Sequence, residues 1–205
     1  LAKQSKLHEL DLEHIVFGHE FSDHMFMMDY YDGAWKDARI VPFGPVSVSP
    51  AFLSLHYAQS IFEGLKAFYT EQGEVVIFRP QANFKRLNIS ADRMCIPQFD
   101  EAFVLDALKQ LVNIDKAWVP NVKGASLYIR PIIYATDEFI GVKPSSTYRF
   151  IIFCSPVNKY YDAPVKVKIE EHYTRAAAGG VGFAKTAGNY AASLYPTKLA
   201  QKEGF

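Results

Sequence analysis

Two stretches dense in β-branched and aromatic side chains constrain the fold more than anything else in the chain: ASLYIRPIIYA at 125–135 and TYRFIIFCSPV at 147–157. Runs of this kind satisfy their backbone N–H and C=O groups in a sheet, where branched and ring side chains pack well on a pleated surface. A third extended run, FSDHMFMMDYY, ends at an Asp32-Gly33 turn signal, and Trp35 to Val48 reads as strand and loop broken by Pro42, Gly44 and Pro45. Lys66–Tyr69 and Glu74–Phe78 around Glu71-Gln72-Gly73 read as a hairpin.

Helical signals are interleaved with these strands. Ser49-Pro50 looks like an N-cap and first helical position, and Phe52, Leu55, Ala58, Phe62 and Leu65 follow at helical spacing, which predicts a helix stopping at Gly64. Pro80 opens a second helix carrying Phe84, Leu87 and Ala91. Asp100 caps a third, with Phe103, Val104, Ala107, Leu108, Leu111 and Val112 on one stripe. The succession has no regular βαβ repeat, so the fold class is α+β. A first domain spans 1–162. The stretch KYYDAP opens a linker, and VKVKIEE alternates like the first strand of a second domain, over 163–172 together. Residues 173–205 begin that second domain. They are too few to close it, so an incomplete second domain is expected, and Leu1 in place of Met leaves the natural start open.

Composition narrows the function. The chain is 49% hydrophobic and 15% aromatic, enough for a sizeable core. Lys plus Arg equals Asp plus Glu at 22 each, which removes any electrostatic case for nucleic acid or an anionic membrane. No run approaches a membrane span and no signal peptide is visible, so a cytoplasmic location is expected, organellar targeting remaining open. Cys95 and Cys154 sit in apolar company and are expected to be buried thiols, without a disulfide framework. The six histidines show no HExxH or paired spacing, so no metal site is expected.

From Ala176 the composition changes to AAAGGVGFAKTAGNYAASL. Most lysines are solvated surface charges, but Lys185 is surrounded by Gly179, Gly180, Gly182, Ala184, Ala187 and Gly188. A desolvated amine is a nucleophile toward carbonyls, and glycines let backbone approach a flat ring or a phosphate. The same run nearly matches the phosphate loop G-x-x-x-x-G-K-[ST], yet Ala184 stands where that motif requires glycine. Seven residues (172–178) also separate the strand-like run from the first glycine, and Gly188 is expected to interrupt any helix begun at Lys185.

GFAKTAGNYAASL resembles the cofactor-lysine segment of branched-chain aminotransferases, pyridoxal 5'-phosphate (PLP) enzymes of fold type IV. FSDHMF, LHYAQSIFEGLKAF and ASLYIRP resemble further segments of that family in the same order. The resemblance runs from about Phe17 to Phe205. It implies a small N-terminal α+β domain complete here, the first part of a larger domain, and transamination between a branched-chain L-amino acid and 2-oxoglutarate. By the same resemblance Lys185 forms a Schiff base with PLP and moves a proton, while Arg86 and Arg175 hold its phosphate and Tyr190 its phenolic oxygen. Phe17, Tyr57, Phe62, Tyr128, Arg130 and Tyr160 form the substrate pocket. Val142 reaches into a neighbour's pocket, implying a homodimer. Arg130 shares a strand face with Tyr128; a structural ion pair is its plainer role, and binding of glutamate's side-chain carboxylate is what the family implies. A D-amino-acid aminotransferase, an aminodeoxychorismate lyase, or a non-catalytic fragment of the branched-chain enzyme are the alternatives.

Overall fold

A computed structural model of the chain describes residue 2 and residues 4–11, 14–159 and 164–205. The two long β-type runs pair with each other along their whole length: β6 (Ser126–Ala135) is antiparallel to β7 (Tyr148–Val157), from Ser126 opposite Val157 to Ala135 opposite Tyr148. β1 (His24–Tyr31) pairs with the far side of β7 and continues through the Asp32-Gly33 turn into β2 (Ala34–Pro42), the edge. On the other side of β6 lie β3 (Ser60–Phe62) and β4 (Leu65–Tyr69), and β5 (Val75–Ile77) closes the hairpin with β4. The sheet is therefore antiparallel, in the order β2-β1-β7-β6-β4-β5, with β3 also on β6.

Period-two alternation divides the sheet into two faces. Leu127, Ile129 and Ile133 of β6 share one face with Phe150, Ile152 and Cys154 of β7 and Phe26 and Met28 of β1. Helices α2 (Pro80–Arg93) and α3 (Glu101–Ile114) cover it with Phe84, Leu87, Ala91, Val104, Leu108 and Leu111, all buried. Each such Leu or Phe contributes about 2 kcal/mol, so this layer dominates stability. Asp100 caps α3 by accepting from the N–H groups of Ala102 and Phe103 at 2.8 and 3.2 Å. The opposite face carries Tyr128, Arg130, Ile132 and Tyr134 beside Ile151 and Phe153.

Several sequence expectations change. The helix expected from Pro50 to Gly64 shrinks to α1 (Leu53–Tyr57), because Ala58 adopts a left-handed conformation, φ 52°, and ends it. Pairing with β6 then claims residues 60–62, so Phe62 and Leu65 lie on strands and tertiary hydrogen bonding overrides the helical spacing. Phe103 stands half-exposed at the margin of the α3 stripe. Residues 165–171 form no strand: Val165, Val167 and Ile169 are exposed, and among the described residues no neighbouring strand pairs with them. Gly188 does not prevent a helix, since it lies inside α4 (Ala187–Ala191), followed by α5 (Leu194–Lys202). Cys95 is exposed, whereas Cys154 is buried as expected.

One buried polar contact fastens the start of β1 to the end of α3. His24 Nε2 accepts from the Ala2 N–H at 2.8 Å, so its Nδ1 carries the proton and donates to Asp115 Oδ1 at 2.6 Å. Asp115 Oδ2 also accepts from the His24 backbone N–H at 3.0 Å, and both residues are buried. Asp115→Ala strands two buried donors and is expected to cost about 3 kcal/mol, lowering the melting temperature by roughly 6–12 °C. Calorimetry showing an unchanged melting temperature would remove this contact from the account of stability.

Candidate active site

The small-residue segment is tied to the sheet through β3. Ile61 and Thr186 form a β-bridge, the Phe62 N–H donates to the Lys185 carbonyl at 3.0 Å, and Thr186 Oγ1 donates to the Ser60 carbonyl at 2.7 Å. Helix α2 holds the same segment from beneath. Ser90 Oγ accepts from the Lys185 N–H at 3.0 Å, and Arg93 donates to the Gly179 carbonyl at 3.4 Å. Asn189, in the middle of α4, closes the glycine-rich loop by donating to the Val181 and Ala184 carbonyls at 2.9 and 2.8 Å. Thr186 is the N-cap residue of α4. The exposed coil before the loop is not the strand that a phosphate loop of the nucleotide-binding type requires.

Fixed in this way, the half-buried Lys185 turns its amine to an aromatic corner. Nζ donates to the Tyr190 hydroxyl at 2.5 Å and lies 4.6 and 4.8 Å from the Phe62 and Tyr190 ring centroids, the two rings being 4.8 Å apart. The Arg130 guanidinium stacks on the Phe62 ring at 4.5 Å, and its Nε and Nη2 both donate to the Tyr128 hydroxyl at 3.2 and 2.9 Å. Phe17 packs edge-on against Tyr128 at 5.1 Å. The two rings border a groove of about 620 Å³ that also meets Lys66 and Lys159. Arg175 approaches the Tyr190 ring at 5.7 Å and donates to the Gly182 carbonyl. A contiguous row of aromatic and cationic groups thus runs from Phe17 to Arg175.

Glu63 has no counterpart among the residues singled out from sequence. Its carboxylate is fully buried, yet it accepts four hydrogen bonds: from Arg86 Nε at 2.5 Å, Arg86 Nη2 at 2.7 Å, Asn83 Nδ2 at 3.0 Å and the Gly64 N–H at 3.1 Å. The carboxylate in turn holds the Arg86 guanidinium above its ordinary pKa. Asn83, Arg86, Ser90 and Arg93 recur at spacings of three, four and three, so one face of α2 serves the whole site. A signal for Glu63 was present in FEGLKAF, where an acid stands among apolar residues. Such an acid needs a partner.

The remaining expected residues are placed elsewhere. Tyr57, on α1, packs beside His56 and joins no contact of the cluster among the described residues. Val142 is 87% exposed in the loop between β6 and β7. Tyr160 lies outside the described residues.

An antiparallel sheet backed by two helices on one face, with a lysine docked on a short strand, is the N-terminal portion of the fold type IV aminotransferase architecture. Within that class, the curated homologues of the chain are branched-chain-amino-acid aminotransferases. Branched-chain-amino-acid aminotransferase 2 of Bacillus subtilis (strain 168) is 53% identical over 199 residues, 95% of this chain and 55% of that protein. A branched-chain aminotransferase from Thermoproteus uzoniensis, solved with norvaline, superposes with a TM-score of 0.68 at 22% identity, over 87% of this chain and 57% of that one. The T.th. branched-chain amino acid aminotransferase, complexed with N-(5'-phosphopyridoxyl)-L-glutamate, gives 0.60 at 26% identity over 81% and 52%. No protein-family model matches the chain. The chain spans about half the length of the curated relatives it matches.

Gly64 leaves room for the ring that anchors Arg130. A Cβ there would overlap the Tyr128 hydroxyl and come within 2.9 Å of Cζ. Gly64→Ala is expected to cost about 1–3 kcal/mol of stability through overpacking. In a Tyr128→Ala background the same substitution should cost little, and a full-sized cost there, measured by urea denaturation, would show the strain to lie elsewhere.

Proposed function

We propose that the chain supplies the cofactor lysine and the substrate-side cation of a PLP enzyme. The enzyme transfers an amino group between a branched-chain L-amino acid (leucine, isoleucine or valine) and 2-oxoglutarate, giving the branched-chain 2-oxo acid and L-glutamate. The observation that carries this reading is the Phe62-Glu63-Gly64 tripeptide. Its neighbours are a lysine amine, a phenol and two guanidiniums, each held by named contacts. The names of the relatives support the substrate class, and the ligand of the T.th. enzyme supports both the cofactor and glutamate.

The donor set fits PLP: a primary amine for its aldehyde carbon, a phenol for its ring hydroxyl and a half-exposed guanidinium for its phosphate. When bound, PLP supplies an electron sink for negative charge at the substrate α-carbon. Lys185 holds the cofactor and then carries the proton away from that carbon, and the Tyr190 hydroxyl keeps Nζ in place. Arg86 binds the phosphate, with Arg175 as a second contact. Arg130 binds the side-chain carboxylate of glutamate. When the side chain is apolar, the Tyr128 hydroxyl remains as its partner, so one pocket accepts both substrates without a bare buried charge. Phe17, Phe62 and Tyr128 form apolar walls. Val142 reaches a second copy's pocket, making the working unit a homodimer, and its exposure supports that role. Residues 1–162 are read as the small domain and 173–205 as part of the larger one, the boundary at 162 lying outside the described residues.

Borohydride reduction after incubation with PLP is expected to leave a pyridoxyl group on Lys185, located by peptide mass spectrometry, and none in Lys185→Arg. Arg130→Met is expected to weaken glutamate by about tenfold or more while changing leucine little. An adduct on a different lysine, or turnover of D-alanine without leucine, would overturn the reading.

A further inference from the structure

We propose that Glu63 is the positioning residue for the cofactor's phosphate, acting through Arg86. The inference rests on the reading of Lys185 and Arg86 as cofactor ligands and adds a group that never touches the cofactor itself.

Glu63 is fully buried, and its own N–H donates to the Pro131 carbonyl of β6 at 2.9 Å, so its backbone is part of the sheet. Its carboxylate accepts from Nε and Nη2 along one side of the Arg86 guanidinium, while Asn83 and the Gly64 N–H occupy further acceptor positions. That pattern fixes the guanidinium plane and uses one edge of the fork. Nη1 and the second Nη2 proton form the other edge, a bidentate donor pair, on a side chain that is 54% exposed. Arg86 also lies close enough to Tyr190 for the two to interact electrostatically.

A purely structural ion pair between α2 and the β3–β4 connection is the simpler role. It explains the buried carboxylate but leaves unexplained why the arginine paired with it stays 54% exposed, with Nη1 making no hydrogen bond among the described residues. The residue before Glu63 also bonds to the Lys185 carbonyl, so the last residue of β3 and the one that follows it set the positions of the amine and of the guanidinium. A ligand that joins an aldehyde carbon to a phosphate must reach both groups at once. An unpinned arginine would have to surrender its side-chain freedom at each binding event. The negative charge of Glu63 opposes a phosphate nearby, but solvent around the exposed arginine screens that repulsion, so orientation outweighs it.

The test compares equilibrium binding of PLP with that of pyridoxal, the same aldehyde without phosphate, and includes competition by inorganic phosphate. Glu63→Gln is expected to weaken PLP and inorganic phosphate by about tenfold while leaving pyridoxal unchanged. In an Arg86→Ala background, Glu63→Gln is expected to add no further loss. Equal losses for PLP and pyridoxal, tighter phosphate binding, or additive losses in the double variant would overturn the proposal and leave Glu63 a structural ion-pair partner. Should Glu63→Gln not fold, Asn83→Ala removes one of the four donors without changing charge. It is expected to lower the preference for PLP over pyridoxal by about threefold, and an unchanged preference overturns the proposal. Failure of both aldehydes to load Lys185 in the unaltered protein would instead contradict the proposed function.

Discussion

The candidate site depends on a strand of three residues that is bonded on both sides. β3 pairs with β6 on one side and takes up Lys185 and Thr186 on the other, through backbone groups and the Thr186 hydroxyl. Leaving a buried N–H or C=O without a partner costs about 1–3 kcal/mol, so this docking is firm whatever the exposed side chains do. Because a strand alternates, the residues at and just beyond β3 face different surroundings. The Phe62 ring meets Lys185, Tyr190 and Arg130 on the open face, and the Glu63 carboxylate meets α2.

The sheet separates stability from chemistry in the same way. α2 and α3 bury one face almost entirely, and the aromatic and cationic row stands on the other. α2 takes part in both tasks. Phe84, Leu87 and Ala91 enter the core, while Asn83, Arg86, Ser90 and Arg93 reach toward the site. The chain as a whole carries no net charge, yet Lys185, Arg130 and Arg175 gather around two aromatic rings and Arg86 stands nearby. The concentration of positive charge at the site is therefore a local property, set by placement.

Much of the fold was legible because it follows from local rules. The β6 and β7 runs, the Asp32-Gly33 turn, the β4–β5 hairpin, Pro80 at the start of α2 and the Asp100 cap all carry their signals in a few neighbouring residues. The misses share a cause, which is competition from partners distant in sequence. Residues 60–65 have helical spacing but are claimed by β6, and 165–171 alternate like a strand with no neighbour among the described residues. In the site, family likeness pointed to Lys185, Tyr190, Arg130, Tyr128, Phe62 and Phe17, which the structure brings together. It did not point to Glu63, whose importance appears only when α2 and the β3–β4 connection are seen in contact. Tyr57, the last residue of the short α1, stands apart from the cluster, partly exposed and packed beside His56.

The most direct measurement is a crystal structure of the protein after treatment with PLP and borohydride. The pyridoxyl group is expected on Lys185 Nζ beside Tyr190, its phosphate on the free edge of Arg86, and Glu63 still bonded to Nε and Nη2. Arg130 should remain on the Phe62 ring, open toward the substrate side. A pyridoxyl group on a lysine outside the glycine-rich segment, or a phosphate held elsewhere with Arg86 turned away, would contradict it.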